Sequence, residues 1–340
     1  MAAGCSDRDL EEKVAFLGRP QAYPGEPPGV AAVETHMSWV FLTERFAYKL
    51  KKPVRYDFLD FRSLESRRGS CEEEIRLNGR LAPGVYLGVV PLTADESGTL
   101  AIDGSGRPVD WLVRMRRLPA ERMLDRAIRP GEVKTRDLRA VALLLSRFFA
   151  DAVPVAMPPA EYRRRLASAV TGNRRALSVP DFGLQRQAVE RVTGALRKTL
   201  MGSAPLFDTR VRRGRIREGH GDLRAEHVFL GPKAAVIDCI EFNRDFRIQD
   251  SADELSFLAM ECEMLGSPGA GKVILESCCG RLGDEPPPEL IAFYKAFRAM
   301  MRARLAVLHL EDKELRNPDF WRSRAAAYLE LAGKYARELG

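Results

Sequence analysis

The chain has 340 residues, enough for one large domain or two units with substantial cores, and its 45% hydrophobic and 30% charged content is that of an ordinary globular protein. The longest apolar run, around Val141 to Leu145, falls far short of a membrane span, and the acidic start MAAGCSDRDLEEKVAF has no apolar signal segment, so membrane insertion and export are not expected. A formal charge of +7 and a pI near 9.2 favour an anionic partner (nucleotide, phosphorylated metabolite, nucleic acid or acidic surface), with a diffusely basic surface of no special role as the alternative.

In chain order, residues 8–17 read as a helix, and QAYPGEPPGV as a Pro/Gly loop. SWVFLT (38–43) and RFAYKLKKPV (45–54) read as a β-hairpin. Residues 63–82 read as a helix stopped by Pro83-Gly84, with Leu64, Cys71, Ile75 and Leu81 at roughly helical spacing. YLGVVPLT (86–93), TLAID (99–103) and DWLVRMRRL (110–118) read as further strands. After Pro119 the pattern becomes helical through 120–204, β-rich over 208–242 and helical again from 250 to 340. This predicts an α+β chain in two lobes, a small antiparallel β-lobe with one inserted helix over 1–117 and a larger, mainly helical lobe over 118–340.

Six cysteines, Cys5, Cys71, Cys239, Cys262, Cys278 and Cys279, form no CxxC pair, and with only four histidines they give no pattern for structural zinc. They are expected to be reduced, mostly buried thiols of a cytoplasmic protein. The stretch GSPGAGKV (266–273) resembles a phosphate-binding loop but ends in Val273 where the metal-binding hydroxyl belongs, and helical patterns flank it on both sides. It is expected to be a helix–helix turn.

The chemistry concentrates in EGHGDLRAEHVFLGPKAAVIDCIEFN (218–243). His220-Gly221-Asp222 is followed five residues on by His227, and eleven residues later by Asp238 at the end of an apolar run. Two carboxylates at strand ends suit phosphoryl transfer from ATP, one accepting a proton from the attacking hydroxyl and the other holding magnesium against the phosphates. On the strand Phe46-Ala47-Tyr48-Lys49-Leu50-Lys51, the period of two puts Ala47, Lys49 and Lys51 on one face.

His-Gly-Asp-Leu with the later Ile-Asp resembles the catalytic and metal-binding loops of the aminoglycoside phosphotransferases and related small-molecule kinases, which share the protein-kinase-like fold. ETHMSWVFL, AYKLKKPV, DFLDF, CEEEIRLNGRLAPGVYLGVV and HGDLRAEH also resemble a bacterial subgroup of that family with an HGDLRxEH motif, over roughly residues 34–310. Some members carry an extra C-terminal ATP-binding domain, which this sequence is expected to lack. The resemblance implies ATP and Mg2+ as cofactors. It implies Asp222 as catalytic base, Arg224 beside the transferred phosphate, His220 bracing the loop and Asp238 as metal ligand. It implies Lys49 as the α/β-phosphate lysine, with Lys51 a second candidate, and Glu74 as the carboxylate that holds it. Residues 113–119 would be the hinge that meets adenine, with Met115, Leu118 and Phe229 among the cofactor-binding candidates. Asp250 and Asp253 would brace the catalytic loop.

Two features depart from the family pattern. His227 stands where the family has an asparagine metal ligand, leaving three readings open: metal held by Asp238 with help from Glu241 or Asn243, a preference for Mn2+, or a nucleotide-binding pseudoenzyme. ETHMS, where a Gly-rich loop is expected, has no glycine, so phosphate contacts there would come from Thr35, Ser38 and backbone, unless it is a plain hairpin loop. His309 reads as structural. The run RVRRGRIR (210–217), with five Arg in eight residues, reads either as a solvated strand edge or as a trap for an anionic substrate. The positive charge argues for a neutral or anionic small-molecule acceptor and against a polycationic aminoglycoside. No RNA-binding motif supports a nucleic-acid partner.

Overall fold

The structure, a computed structural model, describes residues 7–128, 133–311 and 317–339. It divides into two compact units, one running up to Arg122 with Ala234–Phe246 added, the other comprising Met123–Lys233 and the chain from Arg247 onward. Cys5 lies outside the described residues. The five described cysteines are unbridged and buried. Among the described residues no helix is long and apolar enough to cross a membrane.

In the first unit the strand patterns resolve as Ser38–Leu42, Phe46–Lys51, Tyr86–Ala94, Leu100–Ile102 and Arg107–Arg116. A further strand, Ala31–Glu34, joins them; all four of its residues are exposed, so no alternation marks it in the sequence. The six form an antiparallel sheet in the order Ala31–Glu34, Ser38–Leu42, Phe46–Lys51, Arg107–Arg116, Tyr86–Ala94, Leu100–Ile102. The two-residue period of Phe46–Lys51 sorts its side chains. Tyr48 and Leu50 enter a core with Leu17, Tyr23, Phe41, Leu92 and Leu112, and Phe46 packs at its edge. Ala47, Lys49 and Lys51 take the other face.

The helix Leu64–Asn78 begins where Ser63 Oγ accepts the Ser66 amide (3.1 Å) and packs against the strands Tyr86–Ala94 and Arg107–Arg116. Its buried stripe is Arg67, Cys71, Glu74, Leu77 and Asn78, at helical spacing but mostly polar. Arg67 forks onto Asp110 at 2.8 and 3.0 Å and its Nη1 donates to the Phe61 and Arg62 carbonyls, which together satisfy the buried guanidinium.

The second unit is helical around one large core that includes Tyr162, Val189, Phe257, Phe293, Ala303 and Tyr328. The β-rich character expected over 208–242 is corrected: Ala204–Arg212 is a helix, and strand is confined to short pieces such as Ile216–Glu218 and Val228–Phe229. Alternating Arg and apolar residues mimic a strand, but Phe207 and Arg210, three apart, are the helix's buried residues. Ile216–Glu218 pairs antiparallel with Ile248–Asp250, Ile216 facing Asp250 and Glu218 facing Ile248. This two-stranded ribbon delivers the loop that starts at Gly219 and the helix Ser251–Met264 to the same place.

Candidate active site

In the first unit, two lysines and three carboxylates form one chain of ion pairs. Lys49 Nζ lies 2.9 Å from Glu74 Oε1 and 2.9 Å from Asp238 Oδ1. Lys51 Nζ lies 2.7 Å from Glu74 Oε2 and also pairs with Glu241 Oε1. Helical spacing selects Glu74 from its acidic neighbours: Glu72 pairs with Arg68 and Glu73 with Arg76 on the exposed face. Burial alone would push the Lys49 pKa down, but Asp238, Glu74 and Glu241 together raise it well above the ordinary lysine value, so its charge is secure. Burial would push Glu74 up; Lys49 and Lys51 hold it below the usual carboxylate range.

The two lysines differ in exposure. The Lys49 side chain keeps 14% of its surface and Asp238 keeps 48%, whereas Lys51 keeps none. Lys49 and Asp238 are therefore open to solvent, and Lys51 is not. Asp238 itself has a left-handed backbone, φ 64°, and its amide donates to the Tyr86 hydroxyl at 3.1 Å.

In the second unit the loop after Ile216–Glu218 is built around Glu254, which points back from the first turn of Ser251–Met264. Its carboxylate accepts the amides of His220 (2.9 Å) and Gly221, and a hydrogen bond from Gln249. Glycine is required twice. Gly221 has φ 91°, and a Cβ on Gly219 would overlap the Glu254 carboxylate. Gly219→Ala is accordingly expected to cost about 1–3 kcal/mol, read as a lower Tm with faster hydrogen exchange at His220 and Gly221; an unchanged Tm would show that Glu254 is not fixed in place.

His220 is fully buried, and its Nδ1 accepts the Asp222 amide at 3.3 Å. Asp222 Oδ2 accepts from Arg224 Nε at 2.9 Å, and Arg224 also pairs with Glu226. Burial pushes the Asp222 carboxyl up, but Arg224, His227 and Arg302 outweigh it and hold it below the usual carboxylate range. His227 uses both ring nitrogens: Nδ1 donates to the Asp222 carbonyl at 2.8 Å, and Nε2 accepts from Arg224 at 3.2 Å. Arg302, absent from the sequence-level candidates, sits beside Glu261 (3.2 Å) and Tyr328, and no local motif marks it.

Met115 faces Ala47 and Tyr86 in the sheet register, and Leu118 follows that strand, partly buried. Phe229 is buried and bridges to Met123. Thr35 and Ser38 bond each other across the ETHMS turn, Thr35 Oγ1 donating to the Ser38 carbonyl (2.9 Å) and accepting its amide (3.0 Å).

The bracing role expected of Asp250 and Asp253 falls to Glu254. Asp250 caps its helix and pairs with Arg210 (2.7 and 2.8 Å), while Asp253 pairs with Arg298 (2.7 Å twice). The Arg-rich run is largely structural. Arg210 also bonds Asp284, Arg215 bonds the carbonyls of Leu282 and Gly283, and Arg217 bonds those of Phe149, Ala150 and Ala152. Of GSPGAGKV only Gly266 and Ser267 lie between the helices Ser251–Met264 and Pro268–Arg281; the expected turn is corrected from Pro268 onward, where the segment is already the start of the second helix, with Lys272 71% exposed beside Glu276. His309 stacks on Trp321 at 3.5 Å.

No family model matches this chain. Uncharacterized proteins of Mycobacterium tuberculosis (strain H37Rv) and Mycobacterium bovis are each 34% identical to it over 286 residues, 82% of this chain and 55% of theirs; the chain thus spans about half the length of these curated relatives. Among solved structures it is similar to aminoglycoside 2'-phosphotransferase-IIIa in its GDP complex (TM-score 0.55, 15% identity, 96% of this chain and 98% of that one). It is similar to a choline kinase from Cryptosporidium parvum Iowa II (TM-score 0.53, 9% identity, 98% and 97%). A choline/ethanolamine kinase family protein from Mesorhizobium loti gives TM-score 0.51 at 14% identity, over 97% and 99% of the two chains. The chain has the α+β, protein-kinase-like fold of these small-molecule kinases and phosphotransferases.

Proposed function

We propose that the protein is a nucleotide-dependent phosphotransferase that moves a γ-phosphate onto a hydroxyl of a small molecule. The observation that carries this reading is Lys49, a cation held between Glu74 and Asp238 at 2.9 Å on each side, on the fold of small-molecule kinases. In this reading Lys49 binds the nucleotide phosphates and Glu74 aims it. Asp222 takes the proton of the acceptor hydroxyl as its oxygen attacks phosphorus. Arg224, bonded to Asp222, orients that carboxylate and offers a donor to the transferred phosphoryl group. Met115, Leu118 and Phe229 are the proposed contacts to the base.

Asp238 suits magnesium, being a half-exposed carboxylate. Glu241 is committed to Lys51 and Ser70, and His227 has both nitrogens engaged within its own loop. Asp238 is thus the residue that would hold the ion, which when bound would neutralise phosphate charge. The acceptor is proposed to be neutral or anionic, from the net charge of +7.

The engagement of His227 favours a second reading, a nucleotide-binding sensor of little transfer activity. Calorimetric titration of ATP and GTP, with Mg2+ and separately with Mn2+, separates the two. Asp238→Asn keeps a residue that tolerates the left-handed backbone, so it should remove metal-dependent nucleotide binding without unfolding the chain. Metal-dependent binding by the wild type, lost in this variant, together with phosphate transfer in an acceptor screen, supports the phosphotransferase. Metal-independent binding without transfer supports the sensor, and no binding at all overturns both.

A further inference from the structure

We propose that the buried Lys51–Glu241 pair is a positioning device that holds Asp238 in its left-handed conformation, ready for a cation; its functional meaning rests on the phosphotransferase reading. A non-glycine residue at φ 64° is strained by about 1 kcal/mol or more and persists only where its surroundings over-determine it. Here the surroundings can be named. Upstream, the Val236 amide donates to the Leu81 carbonyl at 3.1 Å. At the residue itself, the Asp238 amide donates to Tyr86 Oη. Next along, the Cys239 amide donates to Asn78 Oδ1 at 2.9 Å. Downstream, Glu241 pairs with Lys51 and lies 3.4 Å from Ser70 Oγ, and Phe242 and Phe246 pack on Phe58 at 5.5 and 5.6 Å between ring centroids.

Of the two charged anchors, only one can endure while a ligand is bound. The Lys49–Asp238 pair is accessible, and both partners are the groups that phosphate and metal would claim. The Lys51–Glu241 pair is buried, with the Lys51 side chain fully covered and Glu241 8% exposed. It therefore keeps the segment in place when Lys49 and Asp238 change partners. Glu74 couples the two, one carboxylate oxygen on each lysine. Lys51 is thus a positioning residue acting through Glu241 rather than a phosphate ligand.

The test is Glu241→Gln, backed by Glu241→Ala, with the exposed Glu72→Gln as control. In the ligand-free protein, hydrogen exchange at the Asp238 and Cys239 amides should speed up by about tenfold in the Gln variant and further in the Ala variant, while Tyr48 and Leu50 keep wild-type protection. The Mg2+ concentration for half-maximal ATP binding should rise about tenfold or more, with affinity at saturating Mg2+ little changed. Unchanged exchange at Asp238 and Cys239 overturns the proposal, as does equal loosening of the sheet strands, which would mean a general loss of packing. Selective loosening in a protein that binds no nucleotide would support the positioning device and sink the phosphotransferase reading instead.

Discussion

Asp222→Asn is expected to lower turnover by about 10²–10⁴-fold, the usual contribution of a general base, while leaving nucleotide affinity within about twofold. The substitution keeps the shape of the side chain and one oxygen to accept from Arg224, so loop geometry should survive. It removes the lone pair that takes the hydroxyl proton. The acid limb of the pH profile follows from the same geometry. Burial pushes Asp222 up, but Arg224, His227 and Arg302 hold it below the carboxylate range, so it stays ionised through neutrality. Any rise in activity near neutral pH must then come from another group. Steady-state kinetics of wild type and variant decide the matter: equal turnover would remove Asp222 from the reaction, and a loss confined to nucleotide affinity would assign it to binding.

Glu254→Gln should have the largest effect on stability. Burial pushes the Glu254 carboxyl up to about 7, against the amides of His220 and Gly221, which pull it down. Its unfolded value is about 4.3. Because the folded value is the higher one, the stability it contributes is fully present below about 4.3 and is lost as the pH rises through about 7. The wild-type Tm should therefore fall between about pH 5 and about pH 8, by the equivalent of on the order of 3 kcal/mol, and the variant should lack this dependence.

Activity should move the opposite way. The ionised carboxylate is the better acceptor for the two loop amides and for Gln249. Turnover is expected to rise through about pH 7 as Glu254 ionises. A glutamine has one acceptor oxygen for these donors, and its own amide group opposes them. The variant should thus be slower, with no step near neutrality. Thermal unfolding and kcat measured across this range check both halves, and a variant that keeps the wild-type slopes would place the titration elsewhere.

Much of the candidate site could be read from local order. The period of a strand puts Lys49 and Lys51 together; the family resemblance implies Glu74, which the buried stripe of Leu64–Asn78 sets apart from Glu72 and Glu73. Within His220-Gly221-Asp222 the left-handed turn at Gly221 is a local property, although the loop as a whole is held by Glu254 from the following helix. The missing hydroxyl and the flanking helical patterns argue against a phosphate loop at GSPGAGKV, which is a two-residue turn running into a helix. In each case the periodicity or turn chemistry acts within a few residues, so the chain carries it without a fold.

What the sequence left open is decided by partners far along the chain. Lys49 and Lys51 share one face and one carboxylate; only packing buries Lys51 completely and turns it to Glu241, 190 residues on. Three acidic residues in DSADEL (250–255) offer no local reason to choose Glu254 over Asp253; the helix phase and the ribbon of Ile216–Glu218 with Ile248–Asp250 make the choice. Composition reports the charge density of residues 210–217 but not its use, because Asp250, Asp284 and the carbonyls near residue 150 reach those arginines only once the helices pack. By itself the sequence determined which residue types share a face only where the period is clear, as on the strand Phe46–Lys51. The tertiary structure decided which of them are buried, since burial and charge pairing depend on contacts that span the whole chain.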